Sequence, residues 1–100
     1  MQLVDRASIT ATDIEEIAGL RALWAETLGD PRILIAFLDG PIDRTHPALV
    51  GAKLALASTS DTSVGRGFAL CHGTQVASII LGQRNGYIQG IAPRCRGLIV

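Results

Sequence analysis

Two residues of this 100-residue chain are of a type and setting that could move a proton together: Asp39 and His72. Asp39 directly follows the apolar run Arg32 to Leu38 (RILIAFL). Open α/β sheets place functional groups at the C-terminal ends of buried parallel strands, which is where this carboxylate falls. An Asp there can equally be a turn or cap residue, because Asp39-Gly40-Pro41 is itself a turn signal. His72 precedes Gly73 and is expected to open a helix over residues 72–83 (HGTQVASIILGQ). At a helix N-terminus the backbone dipole disfavours imidazolium, which suits a ring that must act as a base. Taken alone, such a histidine is more often structural than catalytic. Together the two are more informative. An Asp that accepts the Nδ1–H of a His fixes the tautomer whose Nε2 can take a proton from a serine. A strand end and the start of a later helix can meet on one sheet edge, although spacing does not prove that they do.

The elements that must carry these groups are legible in the hydrophobic pattern. Thr12-Asp13-Ile14-Glu15 has the form of a capping box. From there Ile14, Ile17, Leu20, Leu23, Trp24 and Leu28 fall at helical spacing. Gly19 weakens the first part, so the helix is expected over residues 19–28, ended by Gly29 and barred from continuing by Pro31. Residues 32–38 read as a strand that is apolar without alternation, as where helices cover both faces of a parallel sheet. Residues 51–58 can form a second strand, and residues 58–67 (STSDTSVGRG) a polar surface loop. In the helix of His72, the residues Val76, Ala77, Ile79, Ile80 and Leu81 are apolar on most of the circumference, which predicts a buried central helix. Residues 90–93 (GIAP) are a turn, and residues 97–100 (GLIV) start another buried strand. The alternation predicts an α/β fold, a parallel sheet flanked by helices with right-handed crossovers.

Composition removes several functions. The formal net charge is zero, so no broad pull toward nucleic acid or anionic membrane is expected. The four aromatics, Trp24, Phe37, Phe68 and Tyr87, are too dispersed for a base-stacking platform. Residues 1–12 show no secretory signal, and the run Ile33–Leu38 is far too short to span a bilayer. Without an export signal, Cys71 and Cys95 are expected as reduced thiols in a cytoplasmic protein. Cys71 reads as an inert, partly buried thiol. Two cysteines without paired histidines make a poor zinc site, and no metal or other cofactor is expected.

The segment Ile35-Ala-Phe-Leu-Asp39-Gly-Pro-Ile-Asp43-Arg-Thr-His46-Pro47-Ala-Leu49 resembles the aspartate block of the subtilisin-like serine proteases. His72-Gly73-Thr74-Gln75-Val76-Ala77-Ser78 resembles their histidine block, and Gly90-Ile91-Ala92-Pro93 the G-[IV]-A-P that follows it. Residues 33–100 carry these blocks in the family's order. The resemblance implies a subtilisin-like sheet of which this is the N-terminal portion, incomplete, with residues 1–30 an N-terminal extension and residues 31–100 a partial catalytic domain. It implies Asp39 as the orienting acid and His72 as general base; Asp43 and His46 match family positions and read as structural. A narrower likeness joins Leu23-Trp-Ala-Glu-Thr-Leu-Gly-Asp-Pro-Arg-Ile33, the Leu-Asp-Gly-Pro at 38–41 and the stretch from Gly90 to Ile99 to the cyanobactin maturation proteases of the PatA/PatG type. Those enzymes process ribosomally made precursor peptides in the cytoplasm, so the expected partner is a peptide or protein substrate. Only residues 40–71 separate Asp39 from His72, leaving little room for the helical insertion of the PatG type.

The departures are specific. Gly40-Pro41 replaces the usual residues after the aspartate, Gln75 and Ser78 stand where His and Gly are frequent, and Ala48 replaces an Asp that helps secreted members bind calcium. None of the five serines (Ser8, Ser58, Ser60, Ser63 and Ser78) lies in the nucleophile's G-T-S-x-[AS] context. Without a nucleophile no acyl-enzyme forms, so the 100 residues alone are expected to be inactive. A terminal apolar strand with no helix after it is expected to leave an apolar sheet face exposed. The leading reading is therefore a serine endopeptidase whose serine lies beyond Val100. A second is a non-catalytic protein that uses the same fold to bind peptides or a partner. A third, a phosphoacceptor domain, fails because Glu15 and Glu16 fall in a helix and Lys53 comes too soon after Asp39.

Overall fold

The computed structural model describes residues 14–38, 41–57, 67–86 and 88–100. Its elements are α1 (Leu20–Glu26), β1 (Leu34–Phe37), β2 (Lys53–Leu56), α2 (Phe68–Leu81) and β3 (Arg96–Ile99). The three strands form one parallel sheet in the order β1-β3-β2. Parallel pairing of β2 with β3 requires a crossover, and α2 supplies it.

The register sorts the side chains by face. Ile35, Gly97 and Leu54 stand in one row, and Phe37, Ile99 and Leu56 in the next row on the same face. This face takes α2: Phe37, Leu49, Ala77, Leu81 and Cys95 form the buried cluster, with Ile35, Leu54, Val76 and Ile80 packed around it. The opposite face carries Leu34, Ala36, Leu98 and Ala55. Leu34 is 49% exposed where Phe37 is 4%. Among the described residues α2 covers one face of β1 and leaves Leu34 and Ala36 on the other exposed, the open apolar face that the sequence leads one to expect.

Gly97 sets how closely α2 approaches. A Cβ on it would lie 2.5 Å from Leu54 Cδ2, 2.8 Å from Leu81 Cδ1 and 2.9 Å from Phe37 Cε2. The hydrogen of glycine is what lets a leucine of α2 reach the central strand. Gly97→Ala is expected to lose about 1–3 kcal/mol, the range for overpacking a close-packed site. The check is the urea midpoint at unchanged m.

Helix α1 is shorter than its pattern. Gly19, in the left-handed region at φ 82°, stands as its N-cap, and Thr27 leaves it in an extended conformation at φ −154°. The expected stop at Gly29 therefore comes two residues early, at Thr27. Gly29 serves another purpose, since a Cβ there would meet Cys95 Sγ at 2.9 Å. Thr12 and Asp13 of the capping box, and residues 58–66 of the polar loop, lie outside the described residues.

Helix α1 docks by its one tryptophan. Trp24 Nε1–H donates to the Ile91 carbonyl at 3.0 Å, and the Arg84 guanidinium sits over the indole at 4.2 Å from the ring centroid. Arg84 Nη1 also donates to the Gly90 carbonyl at 3.3 Å. Burial pushes the Arg84 guanidinium's pKa down, and the nearby charge of Glu15 opposes this. Trp24→Phe removes the donor and leaves a weaker ring for the cation, so a loss of about 1 kcal/mol is expected in a thermal melt. No helix among the described residues is long and apolar enough to cross a membrane.

Candidate active site

His72 is the fifth residue of α2, not its first. The helix starts at Phe68 because the residues before the histidine (Phe68, Ala69, Leu70 and Cys71) already take helical backbone, with Gly67 as N-cap. The dipole's influence is concentrated in the first turn, so the expected help from a helix end does not reach position 72. What the imidazole has instead is exposure to solvent and a partner one turn back. Its ring stacks on Phe68, with centroids 6.0 Å apart and planes inclined by 14°. Phe68 is itself 86% exposed, so this pair forms a surface feature.

Asp39 and Gly40 lie outside the described residues, so the expected contact between Asp39 and His72 is not among the described geometry. The residues on either side are described. Phe37 closes β1, and its carbonyl accepts the Val100 N–H at 3.0 Å. On the other side, the Asp43 N–H donates to Thr74 Oγ1 at 2.9 Å. That bond joins the segment following Asp39 to the helix that carries His72, two residues from the histidine. Thr74 is buried, and Ile42, next to the donor, packs on the core.

Asp43 and His46 are turn residues, in keeping with a structural role. Asp43 Oδ1 accepts the Thr45 N–H at 2.9 Å and the Thr45 hydroxyl at 2.5 Å, and His46 Nδ1 accepts the Ala48 N–H at 3.1 Å. The Thr45 hydroxyl, then the Thr45 N–H, hold the Asp43 carboxyl below the usual carboxylate range. A carboxyl depressed in the fold adds stability above its unfolded pKa, and that stability is lost as pH falls through the folded value. Thr45→Val is therefore expected to raise the Asp43 carboxyl toward its ordinary value and weaken the chain's resistance to acid. Carboxyl carbon shifts followed from neutral to acid pH would show both.

Cys71 is exposed, which corrects the expectation of a partly buried thiol: like its neighbour His72, it faces solvent near the start of α2. Cys95 is buried in the core. Among the described residues no group of three or more His, Cys, Asp or Glu side chains is placed to hold a metal ion. Thr74 belongs to the histidine block, and its role as acceptor of the Asp43 N–H is no part of that motif. Nothing in the local pattern marks that bond, whose partners stand 31 positions apart.

No family model matches the chain. Solved structures do. The prenylagaramide maturation protease PagA is 50% identical over 84% of this chain and 28% of its own, with a TM-score of 0.70. The protease domain of PatA, solved as its S218A mutant, is 50% identical over 72% of this chain and 27% of its own, with a TM-score of 0.65. Fervidolysin of Fervidobacterium pennivorans is 34% identical over 90 residues, 80% of this chain and 12% of its own. In fold and in sequence the chain resembles part of the subtilisin-like proteases. Within them it resembles the cyanobactin maturation proteases. The chain spans between a quarter and a third of the length of those two solved relatives, and about an eighth of Fervidolysin.

Proposed function

We propose that this chain supplies the aspartate and histidine of a subtilisin-like serine endopeptidase that cleaves a ribosomally made precursor peptide in the cytoplasm. Residues 31–100 are the catalytic part and residues 1–30 an extension that docks through Trp24. Asp39 accepts the Nδ1–H of His72 and holds the tautomer in which Nε2 faces the reaction. Nε2 takes the proton of a serine hydroxyl contributed from outside these 100 residues, the serine attacks the scissile carbonyl, and the imidazolium then protonates the leaving amine. The carbonyl carbon passes from amide to acyl-enzyme, and water reverses the sequence to release acid.

The observation that carries this reading is the half-identity to PagA and PatA, both of them maturation proteases, in a chain whose aspartate and histidine blocks stand in family order. The exposure of His72 supports it, since a general base must be reachable by a peptide. The short interval between Asp39 and His72 favours simple cleavage over the macrocyclising variety. The test is a chimera in which residues 33–100 replace the matching segment of PagA, which brings the rest of its own protease chain. Cleavage of the precursor by the chimera supports the reading. A folded chimera that binds the precursor without cutting it favours the non-catalytic alternative.

A further inference from the structure

The reading just given makes the placement of His72 relative to the segment after β1 the critical geometry, and one buried hydroxyl spans that gap. We infer that Thr74 is a positioning residue for His72: its Oγ1 pins the segment that follows Asp39 to the histidine's own helix.

The bond is of a kind that a helix does not form for its own sake. A Ser or Thr within a helix ordinarily turns its hydroxyl back to the carbonyl four residues earlier. Ser78 does so, donating to the Thr74 carbonyl at 2.7 Å. Thr74 Oγ1 instead accepts a backbone N–H from 31 residues away, at 2.9 Å. The site is buried, with Thr74 7% exposed, so water is a poor substitute for either partner. Threonine has two favoured χ1 rotamers in a helix, and the bond accepted from Asp43 N–H selects the one that holds the oxygen toward residues 41–43.

The consequence reaches His72 through the rigidity of α2. Two residues along a helix correspond to about 3 Å of rise and about 200° of rotation. A helix fixed at position 74 is thereby fixed in both translation and rotation at position 72. Loss of the bond lets α2 slide or turn against residues 41–43, and the imidazole moves with it. The side chain of Asp43 takes no part in this tether, since the donor is its backbone and its Oδ1 is engaged by Thr45.

The test rests on the proposed Asp39–His72 pairing, and it is arranged so that the two can fail separately. The chain is labelled with ¹⁵N at histidine, and the His72 tautomer is read from the ring nitrogen shifts in alkaline buffer. The wild type is expected to show Nδ1–H, and Asp39→Asn to lose it. A tautomer that ignores Asp39→Asn sinks the pairing and the role of Thr74 with it. With that response in hand, Thr74→Val is expected to shift the tautomer at least halfway toward the Asp39→Asn value, while Thr74→Ser, which keeps the oxygen, stays near wild type. A folded Thr74→Val chain with the wild-type tautomer overturns the inference and leaves the pairing intact. Should Thr74→Val unfold, exchange of the Asp43 amide in the wild type decides: slow exchange supports the tether, and exchange at the rate of an open loop overturns it.

Discussion

Replacing His72 by alanine in the PagA chimera is expected to lower kcat on the order of 10⁶-fold, and replacing Asp39 by alanine on the order of 10⁴-fold. Those magnitudes are the ones known for removing the histidine and aspartate of subtilisin itself, and the asymmetry has a physical cause. The histidine transfers the proton twice, first from the serine and then to the leaving amine, so its loss removes the base and the acid together. The aspartate only orients the ring and stabilises the imidazolium, and a misaligned imidazole retains some activity. KM is expected to change little, because neither group contributes much to binding the ground state. The measurement is steady-state cleavage of the precursor peptide, with a melting curve to show that each variant folds. Equal, small losses for the two variants would remove the proton-transfer reading and leave a role in structure or peptide binding.

The largest expected effect on folding is at Gly90. A Cβ there would run into Gly82 N and into the backbone of Ile80 at 2.8 Å. These neighbours are backbone atoms, which cannot swing away as the ends of leucine side chains can at Gly97. The close approach has a purpose that follows from how helices end. The last carbonyls of a helix lack partners within it. In α2 the carbonyl of Ile79 accepts the N–H of Ile91 at 2.9 Å, that of Ile80 accepts Ala92 at 2.8 Å, and that of Gly82, just past the helix, accepts Gly90 at 2.9 Å. The Gly-Ile-Ala-Pro segment is thus a strap across the end of α2, and only a residue without a side chain can start it. Gly90→Ala is expected to lose about 3 kcal/mol or more, from overpacking together with the stretching of buried hydrogen bonds. The change should appear as a lowered urea midpoint, with amide exchange quickened first at Ile91 and Ala92. A loss under about 1 kcal/mol would mean that the strap yields easily and is not what holds the helix end.

The same strap explains why α1 docks where it does. The Ile91 carbonyl receives the Trp24 indole N–H, and the Gly90 carbonyl receives Arg84. Beyond the strap, Gln83 ties the same region together: its N–H donates to the Ala48 carbonyl at 2.9 Å, and Nε2 donates to the Pro93 carbonyl at 3.0 Å. The turn after β1, the end of α2 and the approach to β3 are therefore coupled through backbone carbonyls. Such groups carry no residue identity, which makes them invisible to any reading of motifs.

The amino-acid sequence by itself determined the order strand, strand, helix, strand and the likeness to the protease blocks. The apolar run ending in Asp39, the His72-Gly73-Thr74 block and the Gly90–Pro93 turn are local features, and their meaning depends on neighbours within about one turn of chain. The tertiary structure alone decided that β3 lies between β1 and β2, that α2 covers one sheet face and leaves Leu34 exposed, and that α2 begins a full turn before His72. It also decided the bond from Asp43 to Thr74 and the stacking of Arg84 on Trp24. These features join residues that are distant in the chain or depend on which surface is left uncovered. Periodicity reports which residues can face a core, but the partner that each one meets is set only when the elements pack.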